Sequence, residues 1–294
     1  MTRTKEFDPK SGGQKNRRFR LIVARRSSRA ISSLCRTRIG FALVRVLRRI
    51  RLTSSLLDAF VGYQRLFGTL EEAERCGKRY LSGSHEHSDA ARVHLALGER
   101  ARPSDYPALF YLSRIIRDGL SIFDFGGNVG NLYYCYRQYL NFPAGLRWTV
   151  FDIPAITAMG AEIAEQRKEA GLQFTNSFAE ADGADVFLAS GCVHYFEESI
   201  AEMVRRLTRK PAHIIINRSP LTEKEPVITV QDSFTYLTAC KLHNKAELVR
   251  ECRGLGYDLV DSWSAPELSL SIPCYPDLSV RAYSGLYFRC TAGS

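Results

Sequence analysis

The residues with the clearest chemical potential lie in the run Ser121-Ile-Phe-Asp-Phe-Gly-Gly-Asn-Val-Gly130. An apolar strand ends in an acid, and a glycine-rich turn then enters a helix. Gly126, Gly127 and Gly130 allow the backbone to turn sharply and to approach a ligand without an intervening side chain, as the cofactor loops of doubly wound sheets require. The run therefore predicts the place where a nucleotide-like cofactor binds.

The dinucleotide fingerprint GxGxxG fits this run poorly. If Gly127 and Gly130 are its second and third glycines, its first falls on Phe125, and Asp124 stands where the fingerprint has no acid. A nicotinamide-dependent reductase is therefore a weak alternative.

A second acid follows the next predicted strand. The stretch Trp148-Thr-Val-Phe-Asp152 is apolar and ends in an acid 22 residues after Gly130, which is the spacing of a βαβ unit. A carboxylate at this strand tip can accept hydrogen bonds from both ribose hydroxyls of an adenosine. Alternatively, Asp152 only caps the helix that Pro154 announces.

The elements that must position these residues alternate between strand and helix. We predict strands at 121–125, 148–152, 172–175, 185–190, 213–217, 257–262 and 283–289, and helices at 129–140, 154–170 and 197–208. A further helix begins after Asn244, with Glu247 three residues on. This order favours an α/β fold with a mostly parallel seven-stranded sheet and helices on both faces. The polar segment before Asn244 contains Gln231, Asp232, Tyr236 and His243, which we expect to overhang the cleft and to select a substrate.

The chain before the sheet divides into two predicted segments. Residues 62–74 and 90–97 look helical, and a stronger helix begins at Ser104 and closes at Gly119. We therefore predict a helical cap or lid over 54–119, after a basic tail over 1–53 and before a Rossmann-like domain over 120–294.

The tail carries the basic charge of the chain. Residues 1–53 contain 16 Lys and Arg and two acids, a net charge of +14, whereas the whole chain has +10. We expect the first 30 residues to be disordered. Residues 39–52 suit a basic amphipathic helix, which either contacts an anionic membrane surface or packs on the body with its arginines in water. No recognition module for nucleic acid accompanies the tail, so we predict no specific nucleic-acid partner.

Length and composition bound the class of protein. With 294 residues and 45% hydrophobic content, the chain can bury a full core. No apolar run approaches the roughly 18 residues of a membrane span, and no signal peptide is visible, so we expect a cytoplasmic protein, peripheral at the inner membrane surface if the tail binds lipid. The eight cysteines are scattered without a CxxC pair, which predicts reduced thiols and no metal site.

Five motifs together resemble a family of uncharacterised bacterial methyltransferases. They are Asp-Phe-Gly-Gly at 124–127, Trp-Thr-Val with Asp-Ile-Pro at 148–154, Ser-Gly-Cys-Val-His-Tyr-Phe at 190–196, Ile-Ile-Ile-Asn-Arg-Ser-Pro at 214–220 and Ile-Thr-Val-Gln at 228–231. The likeness covers about residues 60–290. It implies a class I S-adenosylmethionine-dependent methyltransferase, and the Asp-Ile-Pro is similar to the Asp-Leu-Pro of small-molecule O-methyltransferases. The family's turn has a central glycine where this chain has Asn128, a residue type that tolerates left-handed geometry.

The resemblance implies a role for each matched residue. The backbone at Gly126, Gly127 and Asn128 would pass along the methionine moiety and the ribose, Asp124 would orient the loop or bind the methionine amino group, and Gly130 would serve packing. Asp152 ends the second predicted strand and Ile153 follows it. Asn176 and Ser177 match the place where such enzymes hold the adenine amine. Ser190 and Gly191 lie where the reactive methyl group should point.

Two further residues are candidates for catalysis. His194 directly follows the fourth strand, and its ordinary pKa near neutrality suits removal of a proton from a hydroxyl acceptor; alternatively, its ring fills the cleft wall. Arg218 could hold a carboxylate or phosphate of the acceptor, or could be a structural ion-pair partner. These residues predict O-methylation of a small polar, sugar-like acceptor. The alternative is a methyltransferase-like scaffold without turnover.

Overall fold

The chain forms two compact units in a computed structural model that describes residues 9–81, 100–233 and 236–291. The N-terminal unit takes its described residues from Met1–Ser84, Val227–Cys240 and Ser271–Ser279. The sheet unit takes its described residues from His85–Pro226, Lys241–Leu270 and Val280–Ser294. The helix predicted at 90–97 lies outside the described residues.

The sheet unit contains the predicted seven-stranded sheet. Its strands are β1 (Ser121–Phe125), β2 (Arg147–Phe151), β3 (Leu172–Thr175), β4 (Val186–Ser190), β5 (His213–Ser219), β8 (Tyr257–Ala265) and β9 (Tyr283–Cys290). They lie in the order β3-β2-β1-β4-β5-β9-β8. All neighbours are parallel except β9, which is antiparallel to both β5 and β8. The Rossmann-like α/β fold predicted from the strand and helix pattern is confirmed.

Helices cover both faces of this sheet. They are α5 (Asp105–Ile115), α6 (Asn131–Tyr136), α7 (Pro154–Arg167), α8 (Ile200–Arg205) and α9 (Lys245–Gly254). Alternate residues of a strand point to opposite faces. Ile122 accordingly packs in one apolar core with residues of α5, α6 and α7, whereas Phe123 packs in a second core with residues of α8 and α9. Asn244 caps α9 by accepting a hydrogen bond from the Glu247 amide at 2.7 Å, as predicted.

The N-terminal unit is built from helices and a small sheet. Its helices are α1 (Pro9–Cys35), α2 (Arg38–Arg49), α3 (Arg51–Val61) and α4 (Leu70–Lys78). Strands β6 (Val227–Asp232) and β7 (Leu237–Leu242) form a two-stranded sheet in the segment that the sequence predicted only as polar. The Phe67 amide donates a hydrogen bond to the Ile228 carbonyl of β6 at 2.9 Å, so this strand belongs with the N-terminal helices.

The predicted disorder of the first 30 residues is wrong for the part of it that the structure describes. Residues from Pro9 onward are helical, and Leu21, Ala24 and Ile31 of α1 are buried. Their spacing of three and seven residues places them on one face of a helix. The many arginines between them hide this apolar face from an analysis based on composition.

The predicted amphipathic helix at 39–52 is interrupted. Helix α2 ends at Arg49, Ile50 adopts an extended conformation, and α3 begins at Arg51. The boundary predicted between residues 53 and 54 therefore falls within α3. The division into segments 1–53, 54–119 and 120–294 stays a prediction, beside the two units that the contacts define. Within the described residues, no helix is both long enough and apolar enough to cross a membrane.

Candidate active site

The glycine turn after β1 has the conformation that its residue types suggest. Gly126 and Asn128 have φ of 68° and 56°, in the left-handed region, so Asn128 does occupy the geometry expected of it. A Cβ on Gly127 would lie 2.5 Å from the Asp124 carboxyl group. Gly130 has φ of 89° and lies against Leu172, as a packing glycine does. The turn therefore tolerates no side chains at its glycines.

Asp124 is buried directly beneath this turn. Its Oδ2 accepts a hydrogen bond from the Trp148 indole N–H at 3.0 Å, while its Oδ1 has no hydrogen-bond partner among the described residues. Burial raises the pKa of Asp124 to about 7, against the opposing effect of the Trp148 bond. An unpartnered buried acceptor is costly, so this oxygen suits a donor or cation brought by a ligand.

Asp152 joins the two sequence motifs. Its Oδ2 accepts from the Asn128 amide at 2.9 Å, and its Oδ1 accepts from the Ile153 amide at 2.8 Å. Burial raises the pKa of Asp152, opposed by these two amide donors. Ile153, not Asp152, occupies the N-cap position of α7, and no side chain caps that helix. The capping alternative therefore finds no support, and Asp152 instead fixes the glycine turn.

The polar pair after β3 is partly committed to structure. The Asn176 side-chain nitrogen donates to the Asp152 carbonyl at 2.7 Å and to the Thr157 hydroxyl at 2.8 Å. Ser177 precedes a 3₁₀ helix at Phe178–Ala181, and its amide donates to Thr175. Contact with an adenine would therefore use the Asn176 oxygen or the Ser177 hydroxyl.

The tip of β4 carries the next predicted residues. The Ser190 hydroxyl accepts from Arg218 Nε at 3.0 Å. Gly191 has φ of 74°, and a Cβ built on it would meet nothing within 4 Å. The Cys192 thiol, which the sequence did not single out, donates to the Phe125 carbonyl at 2.9 Å, and burial raises its pKa strongly. This thiol therefore links the tips of β1 and β4 and is kept protonated.

Arg218 adopts a strained backbone at an irregularity in β5. Its φ is 51°, in the left-handed region that disfavours a side chain, and the pairing of β5 with β9 shifts register between Ile216 and Ser219. This irregularity places the Arg218 guanidinium 3.4 Å from the Asp105 carboxylate. Burial and the neighbouring Arg218 charge lower the pKa of Arg102, so a second guanidinium lies close by.

Asp105 is a site residue that the sequence analysis missed. It is 2% exposed, and its Oδ1 accepts from the Tyr136 hydroxyl at 2.9 Å and from Asn217 Nδ2 at 3.3 Å. Asn217 Oδ1 in turn accepts from the Trp263 indole at 3.0 Å. The predicted helix start at Ser104 and Asp105 was the only available signal, because the partners of this carboxylate are distant in sequence.

His194 lies after β4, as predicted, in a 3₁₀ helix at Val193–Tyr195. The residue is 3% exposed, and its ring packs against those of Tyr195 and Tyr283 with centroids 4.1 and 6.1 Å apart. The ring is therefore enclosed within the fold. This burial agrees with the alternative in which it fills the wall of a cleft.

The polar segment predicted to select the substrate has other partners. The Asp232 carboxylate accepts two hydrogen bonds from the Arg25 guanidinium, at 2.7 and 2.8 Å, and one from the Tyr63 hydroxyl, at 2.5 Å. These contacts hold the N-terminal unit together. His243 is buried in the sheet unit beside the Phe196 carbonyl, and burial lowers its pKa. The substrate-selecting role predicted for Asp232 is therefore not supported.

The solved structures that this chain is similar to include three methyltransferases and a cyclase, the [4+2]-cyclase SpnF, which matches at a TM-score of 0.42 and 14% identity over 69% of this chain and 82% of that one. Magnesium protoporphyrin IX methyltransferase from Synechocystis PCC 6803, with bound S-adenosylmethionine, matches at a TM-score of 0.45 and 15% identity over 72% of this chain and 89% of that one. The 1,6-didemethyltoxoflavin-N1-methyltransferase from Burkholderia thailandensis, with bound S-adenosylhomocysteine, matches at a TM-score of 0.42 and 20% identity over 64% of this chain and 79% of that one. An O-methyltransferase family protein from the same organism matches at a TM-score of 0.44 and 14% identity over 79% of this chain and 66% of that one.

No model of a known protein family matches the chain, and no curated protein sequence does. The fold assignment therefore rests on the strand order and direction of the sheet. The parallel strands β1 and β4 lie side by side at the point where the strand order reverses, and ligands of open α/β sheets bind at the carboxyl ends of such strands. Asp124, Asp152 and Ser190 all lie at this edge.

Proposed function

We propose that this protein is an S-adenosylmethionine-dependent methyltransferase that acts on a small polar acceptor through a hydroxyl group. One observation carries the proposal: the Asp152 carboxylate at the tip of β2 holds the Asn128 amide in the glycine turn after β1. An acid from the second strand and a glycine turn from the first thus meet at the switch point of the sheet, which suits an adenosine cofactor.

The residues at this edge fit such a cofactor. The side-chain-free backbone at Gly126 and Gly127 leaves room along the turn, and the free Asp124 Oδ1 suits the methionine amino group. Asp152 has a second lone pair on each oxygen for a ribose hydroxyl. Bound there, the cofactor supplies a sulfonium methyl group, which needs no further activation. The remaining task of the protein is to orient the acceptor in line with that methyl group.

The acceptor would lie beyond the tips of β4 and β5. Ser190 and Arg218 supply polar groups there, and Gly191 adjoins open space. Arg218 is fixed by Ser190 and Asp105, so its fork is preorganised for an oxygen of the acceptor. In this proposal His194 accepts the hydroxyl proton, which requires the acceptor to reach its enclosed ring.

Calorimetric titration with S-adenosylmethionine and S-adenosylhomocysteine tests the cofactor site. We expect micromolar binding by the wild-type protein and at least tenfold weaker binding by Asp152→Ala, because one charge-assisted hydrogen bond is worth about 1.5–3 kcal/mol. Asp258→Ala, which removes an exposed acid of the same unit, is the matched control. Circular dichroism must show that both variants fold. Absence of binding to either ligand by the wild-type protein would refute the proposal.

Methyl transfer tests turnover separately from binding. With labelled S-adenosylmethionine and a panel of sugar and other hydroxyl acceptors, the wild-type protein should give a labelled product. His194→Gln should reduce kcat without weakening cofactor binding, and its rate should lose the pH dependence of a titrating base. Cofactor binding without any transfer would identify a scaffold that has lost turnover. Undiminished transfer by His194→Gln would eliminate the base role.

We also propose that helices α2 and α3 contact an anionic membrane surface. Among the residues that the structure describes, eleven of the 16 large hydrophobic side chains that are exposed lie between residues 19 and 60. On α2 and the residue after it, Ile39, Leu43, Val46 and Ile50 recur at the spacing of one helix face, and on α3 so do Leu52, Leu56 and Phe60. Ile39 is 84% and Leu52 72% exposed. Arginines between them would meet lipid phosphates.

Sedimentation with phospholipid vesicles tests this contact. The full chain should bind vesicles that contain phosphatidylglycerol, and Ile39→Asp with Leu56→Asp should abolish binding. Val260→Asp, an exposed apolar residue of the sheet unit, is the control. Deleting residues 1–53 is unsuitable, because Leu21 and Val44 belong to the core of the N-terminal unit. Equal sedimentation of the double variant and the wild type would refute the contact.

A further inference from the structure

A basic cleft lies within the N-terminal unit, and its lining includes none of the residues of the proposed cofactor site. It is a cavity of about 400 Å³ whose lining includes Arg20 of α1, Asp58 of α3, and Arg65, Arg79 and Tyr80 around α4. A cavity of about 430 Å³ shares Arg65 and Arg79 with it. We call the two cavities together the arginine cleft. Its position on three helices makes it a built feature of this unit.

Three of the four arginines that line the arginine cleft form no ion pair with an acid of the described residues. Within the described residues, none of Arg20, Arg65 and Arg79 forms a salt bridge with a carboxylate. Asp58, the acid that lines the first cavity, is paired instead with Arg48 at 2.8 Å. The cleft therefore has more positive than negative charge in its lining, and such a site attracts an anion.

The second cavity also contains an acid and a further cation. Glu72 Oε2 accepts the Gly68 amide at 3.1 Å, a bond that leaves the carboxylate charge in place, and Arg75 pairs with Glu71 outside the cleft at 3.5 Å. The arginines of the two linings outnumber the acids Asp58 and Glu72, so the cleft is positive on balance.

The backbone around the arginine cleft is held in place. The Thr229 hydroxyl donates to the Arg65 carbonyl at 2.8 Å, and the Arg65 guanidinium lies 4.9 Å from the centre of the Phe67 ring. Gly62 has φ of 68°, and a Cβ there would meet the Tyr80 hydroxyl at 2.6 Å. Arg65 is thereby anchored and loses less entropy on binding than a freely moving arginine does, which favours a bound oxyanion over a diffuse ion cloud.

We propose that the arginine cleft binds a phosphate group carried by an anionic ligand. Arg20, Arg65 and Arg79 would donate to the phosphate oxygens, and the Tyr80 hydroxyl would add a neutral donor. The cleft is lined by Ser55 and Ala59 of α3, whose neighbours Leu56 and Phe60 are exposed apolar residues. A phosphate in the cleft could therefore belong to a lipid headgroup or to a free phosphate ester.

Titration of the full chain at constant ionic strength tests the site. The probes are inorganic phosphate and glycerol 3-phosphate in one arm, and vesicles of phosphatidylcholine with phosphatidylglycerol in the other. Arg65→Gln with Arg79→Gln should weaken binding at least about tenfold in whichever arm the wild-type protein binds, through loss of charge-assisted hydrogen bonds. The control is Arg26→Gln with Arg29→Gln, two exposed arginines of α1 outside the lining, which removes the same charge.

The two arms separate the sources of the phosphate. A free phosphate ester is supported if the wild type and the control bind glycerol 3-phosphate and the cleft variant does not. A lipid headgroup is supported if the wild type and the control bind only the vesicles and the cleft variant does not. Equal losses in the cleft variant and the control would show that only diffuse charge matters and would overturn the proposal. Absence of wild-type binding in both arms would also overturn it. Neither arm contains S-adenosylmethionine, so the result is independent of the methyltransferase proposal.

Discussion

At the scale of single residues, two acids at the tips of neighbouring strands have different surroundings. Asp152 accepts two backbone amides, which stabilise its charge, whereas Asp124 is fully buried with one indole donor. The sequence predicted that both acids lie at strand tips, because strand tips and turns are local patterns, but not that Asp152 accepts the Asn128 amide of the glycine turn. It could not predict the Asp105 network, because Tyr136, Asn217 and Arg218 reach that carboxylate only in the folded chain.

The buried Asp124 predicts a pH-dependent stability. Its pKa is about 7 in the folded protein and near 3.8 in the unfolded chain, so the folded state keeps a proton between these values that the unfolded state releases. The free energy of unfolding should therefore fall as the pH rises from about 4 to 7 and stay low above that. Each tenfold change in proton affinity is worth about 1.4 kcal/mol.

The variant Asp124→Asn removes this titration. Urea unfolding followed by circular dichroism should show the variant to be more stable relative to the wild type at pH 8 than at pH 5, by a few kcal/mol (roughly 1.4 kcal/mol per decade of affinity). Asp258→Asn, at an exposed position, should show no such change. Identical differences at the two pH values would mean that Asp124 titrates normally.

At the scale of elements, strands were predictable where apolar runs have sharp ends. The predicted bounds of β1 and β3 agree with the structure, because polar residues or glycines flank short runs of apolar and β-branched residues. Strands β6 and β7 were missed, since their residues are mostly half-buried and mix polar with apolar types. Helix α1 was missed because its narrow apolar face is separated by arginines.

The ion pair between Asp232 of β6 and Arg25 of α1 should contribute to the stability of α1 in the folded unit. Asp232 bonds both Arg25 and Tyr63, and its side chain is 13% exposed. Asp232→Ala removes its hydrogen bonds with Arg25 and Tyr63, and we expect a loss of about 1–3 kcal/mol in the stability of this unit. Native-state cleavage by trypsin at the arginines of α1 measures the effect, which should be a faster cut.

The control for this cleavage is Asp277→Ala, which removes an exposed acid from the same unit. It should leave the rate of cleavage unchanged. A rate for Asp232→Ala equal to that of the control would show that the contacts of α1 with the apolar core suffice without the ion pair.

At the scale of the whole molecule, charge is distributed unevenly along the chain. Residues 1–53 have a net charge of +14 in a chain with +10, so all later residues together are slightly acidic. The exposed apolar side chains concentrate in the same region. Attraction to an anionic surface and burial of apolar area would therefore act together on the N-terminal helices.

These two contributions differ in their response to salt. Binding of the full chain to phosphatidylglycerol vesicles should weaken strongly between about 0.1 and 1 M NaCl, because the screening length falls from about 10 to 3 Å. A residual fraction should stay bound through apolar contacts, and Ile39→Asp should remove it. Vesicle sedimentation over a salt series measures both effects. Binding that is unaffected by salt would show that the arginines play no part.

The chain also contains its own optical reporters of the proposed site. It has two tryptophans, and each donates a hydrogen bond to a residue described at that site. The indole nitrogen of Trp148 lies 3.0 Å from Asp124 Oδ2, and that of Trp263 lies 3.0 Å from Asn217 Oδ1. Indole emission responds to nearby charge, so ionisation of Asp124 should change Trp148 emission, while an acceptor near Asn217 should change that of Trp263. Single Trp→Phe variants would separate the two signals, and ligand arrival at either end could be followed in real time without any attached dye.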